Sequence, residues 1–515
     1  MNLLRTLAAI SSMTMLSRIT GLVRDVLIAR YFGATAATDA FYVAYRFPNF
    51  LRRLFGEGAF AQAFVPILAE YKNQHGKEAT KSLADHVGTT LVWATLLVSI
   101  AGILGAPAIV MLIANGFDDA ERLRLTIVMT RIMFPYICFM SFVTLAGGIL
   151  NTWSQFKVPA FTPVLLNLAF IAGAVLLRPF LATPIYALAI AVMVGGALQV
   201  AIQVPALVKL GMLPRISLNP VSGLRDAGVR RVLKKMAPAL FAVSAAQISL
   251  LINTSIATRL ATGSISWLQT ADRLMEFPSA LLGVALGTIL LPSLSKANLE
   301  KDTAEYSALL DWGLRLTFLL ALPAALGLAT LALPMIATLF MHGQFTPEAA
   351  ANTARPLIAY STCLLGIILI KILAPAFYAR QDIRTPVRIA VGVLIATQLM
   401  NLVFVPYLKV AGLALSIGLG ACLNAGFLYW GLRRRAIYTP LPGWPAFYLK
   451  LALALALMGG VAVIGAAQVD WIGRALPSWQ RIAALGALIC ACAGAYFGAL
   501  FALGFRLGDF KRTTR

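Results

Sequence analysis

The residues of this chain that could do chemistry crowd into one stretch. Between Ser17 and Pro66 stand Arg18, Arg24, Asp25, Arg30, Asp39, Arg46, Asn49, Arg52, Arg53 and Glu57, within SRITGLVRD and DAFYVAYRFPNFLRRLFGEGAFAQAFVP. Those segments are otherwise apolar and read as two membrane-spanning helices joined by a short polar turn. A charge at the centre of a spanning helix costs about 2.5–3.5 kcal/mol on insertion scales, so four unpaired arginines would cost roughly 10–14 kcal/mol. Packing does not offset that. Water, paired carboxylates or an anionic ligand must compensate the charge inside the membrane.

Helical spacing sorts these groups. Arg18 and Asp25 lie about two turns apart on nearly one face, and Arg24 projects roughly 120° away from Arg18. Arg18 and Arg24 therefore read as an anion-binding wall, or else as a local salt bridge with snorkelling; Asp25 is an arginine's partner or a ligand. Arg30 snorkels at the outer end. Asp39 sits at the turn, where it either caps the second helix or takes a gating or pairing role. Pro48, Gly56 and Gly58 permit a broken second helix that brings Asn49 and Arg52 toward a cavity. The Arg52 guanidinium offers the fork that matches phosphate oxygens, and Arg53 and Glu57 have the spacing of a simple helical pair. Further on, ADRLMEFPSALLGVALGTILLPSLSK sets Arg273 ahead of a Phe-Pro, as Arg46 stands ahead of one. Arg273 is either a fourth basic group at the site or part of a structural triad with Asp272 and Glu276. Gly283 and Gly287 form a small-xxx-small packing face, Lys371 snorkels from an apolar run, and Arg315 pairs with Asp311.

The elements that must position these groups are membrane helices. The chain has 515 residues, 60% of them hydrophobic and 12% charged, and a mean hydropathy of +0.82. That is an all-α polytopic membrane protein with about 14 apolar stretches of spanning length. The formal net charge of +23 comes from short loops, where orientation and anionic headgroups explain it better than nucleic acid does. Basic residues gather at Lys72–Lys81, Lys209–Lys235, Arg380–Arg388, Arg433–Arg435 and the C-terminal tail, which places both termini in the cytoplasm. The Lys209–Lys235 stretch reads as an inter-lobe linker anchored at the lipid surface. Prolines 238, 278, 323 and 334 predict kinks or breaks.

An internal repeat is also visible. Gln155–Pro159 recurs as Gln381–Pro386, Phe47-Pro48 as Phe277-Pro278, and Gly195–Gln199 as Gly420–Asn424, all at an offset of about 225–230 residues. This predicts two six-helix lobes in parallel repeat, 1–228 and 229–440, and two extra helices with a basic cytoplasmic tail in 441–515. Such repeats build transporters with a site between the halves. No P-loop, H-E-x-x-H or catalytic triad is present, the three histidines (His75, His86, His342) fall in predicted loops, and the five cysteines lack metal-ligand spacing. No enzyme, metal site or cofactor is expected.

SRITGLVRD, GATAATDAFYVAYRFPNFLRRLFGEGAFAQAFVP, ADRLMEFPSALLGVALGTILLPSLSK and the FYARQDIRTP loop resemble the MurJ/MviN family of lipid II flippases, within the multidrug and oligosaccharidyl-lipid exporters. The likeness covers essentially the whole chain. It implies 14 helices in two lobes and export of undecaprenyl-diphosphate-linked disaccharide-pentapeptide, for cell-wall synthesis, across the bacterial inner membrane. It matches the family's cavity arginines to Arg18, Arg24, Arg52 and Arg273, and its functional acids to Asp39 and Glu57, with a groove for the lipid tail near the last two helices. Some relatives hold sodium through an acid on the seventh helix. No acid lies between Pro238 and Thr258 here, although Asp382 could contribute to such a site. Without an ATP motif, the membrane potential or a monovalent cation is the expected drive. Expected partners are lipid II, membrane lipids and the cell-wall synthesis machinery. Three rivals share some of these features. A cation-coupled drug exporter needs apolar walls and a carboxylate more than four arginines, a scaffold tolerates their loss, and a translocase of another polyprenyl-diphosphate glycan shares the diphosphate chemistry.

Overall fold

The computed structural model describes residues 3–53, 59–473 and 477–506, and every regular element among them is helical. The chain groups into two compact units, Met1–Ser266 and Trp267–Arg515. The first contains α1 (Leu3–Phe32), α2 (Ala36–Leu51), α3 (Ala59–Gln74), α4 (Gly76–Ile113), α5 (Ala120–Met133), α6 (Tyr136–Thr152), α7 (Lys157–Ala172), α8 (Tyr186–Leu210), the short α9 (Pro220–Leu224) and α10 (Ala227–Thr258). The second unit takes over within α11 (Ser264–Leu299). It continues through α12 (Thr303–Thr330), α13 (Ala332–Leu339), α14 (Pro347–Thr362), α15 (Leu364–Tyr378), α16 (Arg384–Leu408), α17 (Val410–Arg434), α18 (Trp444–Ala467) and α19 (Ser478–Ala502).

Nine segments among the described residues are long and apolar enough to cross a membrane, or ten if α14 and α15, bent by 42° at Cys363, form one span. α1, α10 and α11, of 30, 32 and 36 residues, also have spanning length at 1.5 Å per residue. α10 stands at the start of the expected second lobe, yet it packs on α3 and α4 of the first unit. α11 runs unbroken through Pro278 and α12 through Pro323, whereas the chain does break at Leu331, just ahead of Pro334.

Among the described residues, two large apolar cores are seen in each unit. In the first, Phe64, Ile67, Leu145 and Leu150 fill one, and Phe41, Met133, Tyr136 and Leu188 fill the other. In the second, Leu290, Leu310, Ile372 and Phe377 form one core, and Leu451, Trp471, Leu488 and Tyr496 hold α18 and α19 against α12 and α13. The same turns recur between units. After α6, Ser154 takes φ 59° and the Gln155 N–H reaches back to Leu150 O; after α15, Gln381 takes φ 60° and the Asp382 N–H reaches Phe377 O. The ends of α8 and α17 match likewise: Gly211 takes φ 66° and the Met212 N–H reaches Leu207 O, and Ala436 takes φ 52° and the Ile437 N–H reaches Leu432 O. These are helix ends closed by one left-handed residue, which frees the chain to reverse.

The linker after α8 docks closely on α4. Its backbone bonds Asp85, Thr89 and Trp93 through Arg215 N, Ser217 N and Ser217 O. Arg231, at the start of α10, grips Glu70 of α3 with both guanidinium nitrogens at 2.6 and 2.7 Å. This hydrogen bonding turns the basic stretch into a packed strap on the first unit.

Candidate functional site

α1 carries the first group. Arg18 lies midway along it, half-buried, and makes no hydrogen bond or ion pair among the described residues. Arg24, further along, is in the opposite condition. Its Nε and Nη2 donate to Asp25 Oδ1 at 2.8 and 2.7 Å, its Nη1 donates to Asn167 Oδ1 at 2.9 Å, and its guanidinium lies 5.3 Å from the Phe170 ring centroid. The Asn167 Nδ2 in turn donates to Ser17 O at 2.9 Å and to Thr20 Oγ1 at 3.2 Å. One amide on α7 thus clamps α1 on both sides of Gly21. The two arginines of α1 differ: Arg24 is salt-bridged, and Arg18 has no partner among the described residues. Asp25 is Arg24's partner.

α2 begins after Gly33, at φ 64°, and Thr35 caps it by accepting the Thr38 N–H. The capping expected of Asp39 therefore falls to Thr35. Asp39 is fully buried and caps a different helix. Its Oδ2 accepts Gly263 N at 2.7 Å, and its Oδ1 accepts Ser266 N at 2.9 Å and Ser266 Oγ at 2.6 Å, all at the start of α11. Arg122 of α5 closes the cluster, with Nη2 at 2.7 Å from Oδ2 and its guanidinium 3.6 Å from the Phe117 ring centroid. A carboxylate fits here because both the exposed N–H groups and the dipole of a helix N-terminus favour negative charge.

At the other end of α2, the Asn49 Oδ1 accepts Arg52 Nε at 2.9 Å, and Arg53 is exposed. Glu57, with its expected pairing to Arg53, lies outside the described residues. In the second unit Arg273 Nη1 meets Glu276 Oε2 at 3.1 Å, so part of the expected triad is present. Lys371 does not snorkel. It crosses Gly283, where a methyl group would meet its Cδ at 2.3 Å, and donates to Ser279 O at 2.8 Å. Arg315 pairs with Asp311 at 2.7 Å as the spacing predicts, and Asp311 also accepts Tyr438 Oη, Leu441 N and Trp444 Nε1. Asp382 is committed to Thr385 and Arg435. Partial burial pushes its carboxyl up, but these donors outweigh that and hold it down to about 2. No group of three His, Cys, Asp or Glu able to hold a metal is found among the described residues.

Residues 28–475 match the protein family described as Lipid II flippase MurJ. The chain is 57% identical to the lipid II flippase MurJ of Burkholderia cenocepacia over 100% of both chains. It is 41% identical to the probable lipid II flippase MurJ of Vibrio cholerae, over 99% of this chain and 98% of that one. The chain belongs to the MurJ family. A solved lipid II flippase MurJ in an inward closed conformation superposes with a TM-score of 0.79 at 25% identity, over 96% of this chain and 99% of that one. An inward-facing MATE multidrug transporter of the MOP superfamily shares the fold, with a TM-score of 0.67 at 15% identity over 84% of this chain and 98% of that one. Membership makes the chain a polytopic transporter of the bacterial inner membrane, not an enzyme, and favours neither the drug-exporter nor the scaffold reading. Residues of these clusters that sequence reasoning missed are Asn167 and Arg122. Asn167 did carry a signal, as a polar amide in an apolar helix that must find a partner within the membrane.

Proposed function

We propose that this chain moves lipid II from the cytoplasmic to the periplasmic leaflet, with the diphosphate received first by Arg18. The observation that carries the assignment is a half-buried guanidinium midway along a spanning-length helix with no partner among the described residues, in a chain of the MurJ family. An unpaired charge there needs an anion or water, and a guanidinium fork matches phosphate oxygens. Arg24 takes part once the substrate competes with Asp25 for it. Arg52 and Arg273 add positive charge, and Asn49, Arg53, Asp39 and Glu57 support or gate. Alternating access then carries the headgroup across. Both termini lie in the cytoplasm, by the distribution of basic loops. The membrane potential or a monovalent cation resets the carrier, since net positive charge responds to the field at about 2.3 kcal/mol per charge per 100 mV. The cell-wall synthesis machinery supplies and consumes the substrate.

The test is outward exposure of lipid II in cells depleted of their own flippase and expressing this chain. Wild type should restore exposure, and Arg18→Ala should accumulate in the membrane without restoring it. Failure of the wild type, or full activity of Arg18→Ala, would overturn the reading.

A further inference from the structure

The last helix carries a second arginine without a partner, and it is more deeply buried than Arg18. Arg481, in the first turns of α19, is 8% exposed; its Nε and Nη1 are sealed from solvent, and it has no partner among the described residues. The start of the same helix is also open. Pro477 occupies the cap position without a side-chain hydrogen bond, and the Ser478 and Trp479 N–H groups find no acceptor. Helical side chains lean toward the N-terminus, so Arg481 reaches back to that end.

Among the described residues no acid pairs with it. The loop's acid, Asp470, is bound to its own turn through Ile472 N and Gly473 N. α13 carries no charge, and the one charged residue of α18 is Lys450, near its far end. Arg122 is buried to the same 8%, and there Asp39 answers it. A buried guanidinium beside free N–H groups at a helix N-terminus is an anion receptor. At 25 residues, α19 has spanning length, so Ser478 lies near the opposite membrane surface from Ala502. Trp479, 68% exposed, stands two residues before Arg481, as tryptophans do at the headgroup level of a bilayer.

The geometry points to a binding site for the phosphate of a membrane phospholipid, formed by the Arg481 guanidinium and the first N–H groups of α19. On the orientation proposed above, the lipid comes from the periplasmic leaflet. The site is separate from the arginines of α1 and α2 in sequence and in compact unit.

The full-length protein in phosphate-free dodecyl maltoside tests it, by melting temperature and by lipid retention in native mass spectra. The probes are phosphatidylglycerol, diacylglycerol with the same chains, and inorganic phosphate. Phosphatidylglycerol should bind and raise the melting temperature by a few degrees, and diacylglycerol should not. Arg481→Met should remove that difference without lowering the melting temperature in lipid-free detergent, because it deletes an unanswered charge. Arg481→Lys keeps the charge but loses the fork, and should bind about tenfold more weakly; it serves also if the methionine variant does not accumulate. A full shift from inorganic phosphate alone would reassign the site to a soluble anion and overturn the lipid. Equal shifts from phosphatidylglycerol and diacylglycerol, or unchanged binding in both variants, would overturn the site.

Discussion

Two charged clusters sit on neighbouring helices of the first unit and are built on opposite principles. Around Asp39, on α2, the carboxylate is saturated: four hydrogen bonds reach it from Arg122, Gly263 and Ser266, although the buried Arg122 Nε finds no acceptor among the described residues. On α1, Arg24 is answered by Asp25 and Asn167, while Arg18 is left open. Both clusters hold charge in an apolar protein, yet only one has capacity to spare. A saturated cluster can hold helices together but cannot take a ligand without breaking; an open one can bind at no cost to the fold. By this reasoning Asp39 and Arg122 carry stability, and Arg18 carries function.

The largest expected effect is at Asp39. Asp39→Ala would strand Arg122 in the interior and leave the Gly263 and Ser266 N–H groups without acceptors, a loss of about 3–5 kcal/mol. Membrane accumulation and detergent melting should both fall sharply. Arg122→Met removes the opposite partner and should destabilise too, whereas Asp39→Asn with Arg122→Met removes both charges and should recover part of the loss. If Asp39→Ala melts like wild type, the cluster is not structural and the contrast with α1 collapses.

Asn167→Ala comes next. It deletes the acceptor for Arg24 Nη1 and the donor to Ser17 O and Thr20 Oγ1, at about 1–3 kcal/mol. Melting should drop by less than for Asp39→Ala. Transport should fall as well, because α1 loses its register on α7. A normal transport rate at normal abundance would show that the clamp does not position the arginines.

What could be read beforehand divides along sequence distance. The all-helical membrane fold follows from hydropathy, and the Arg315–Asp311 pair follows from spacing along one helix. Asp39 was legible as a cap or as a gating or pairing group, and it does pair, with Arg122, but the helix it caps begins at Ser264, and nothing local points there. Arg122 lies among the charges at the start of α5, where it looks like an ordinary loop residue until α2 is packed against it. Lys371 was misread for the same reason. Its use depends on a glycine of another helix, and burial by a distant element has no local pattern. The choice between salt bridge and open wall on α1 needed the position of Asn167, which only the packing of α1 on α7 supplies.

Asp382 offers a smaller test, outside the membrane. Its carboxyl is held at about 2, below the ordinary value near 3.9, so its ionised form is favoured by folding. The stability it contributes is complete above the ordinary value and is lost as pH falls through about 2. Asp382→Asn should therefore lower the melting temperature slightly and equally at pH 6 and pH 8. A difference between variant and wild type that grows between those pH values would mean that another group is titrating.

The smallest expected change in stability is at Arg18, and it bears most directly on the comparison. Because no described residue answers that guanidinium, Arg18→Ala breaks no hydrogen bond and strands no acid, and it removes a charge that is costly in the membrane. Its melting temperature should equal that of wild type or exceed it, while transport is lost. Arg18→Lys should retain part of the transport, since lysine keeps the charge but cannot grip a phosphate with two parallel bonds. If Arg18→Ala instead destabilises as Asp39→Ala does, Arg18 has a structural partner in another state of the carrier, and the open valence on α1 belongs to the transport cycle rather than to the substrate.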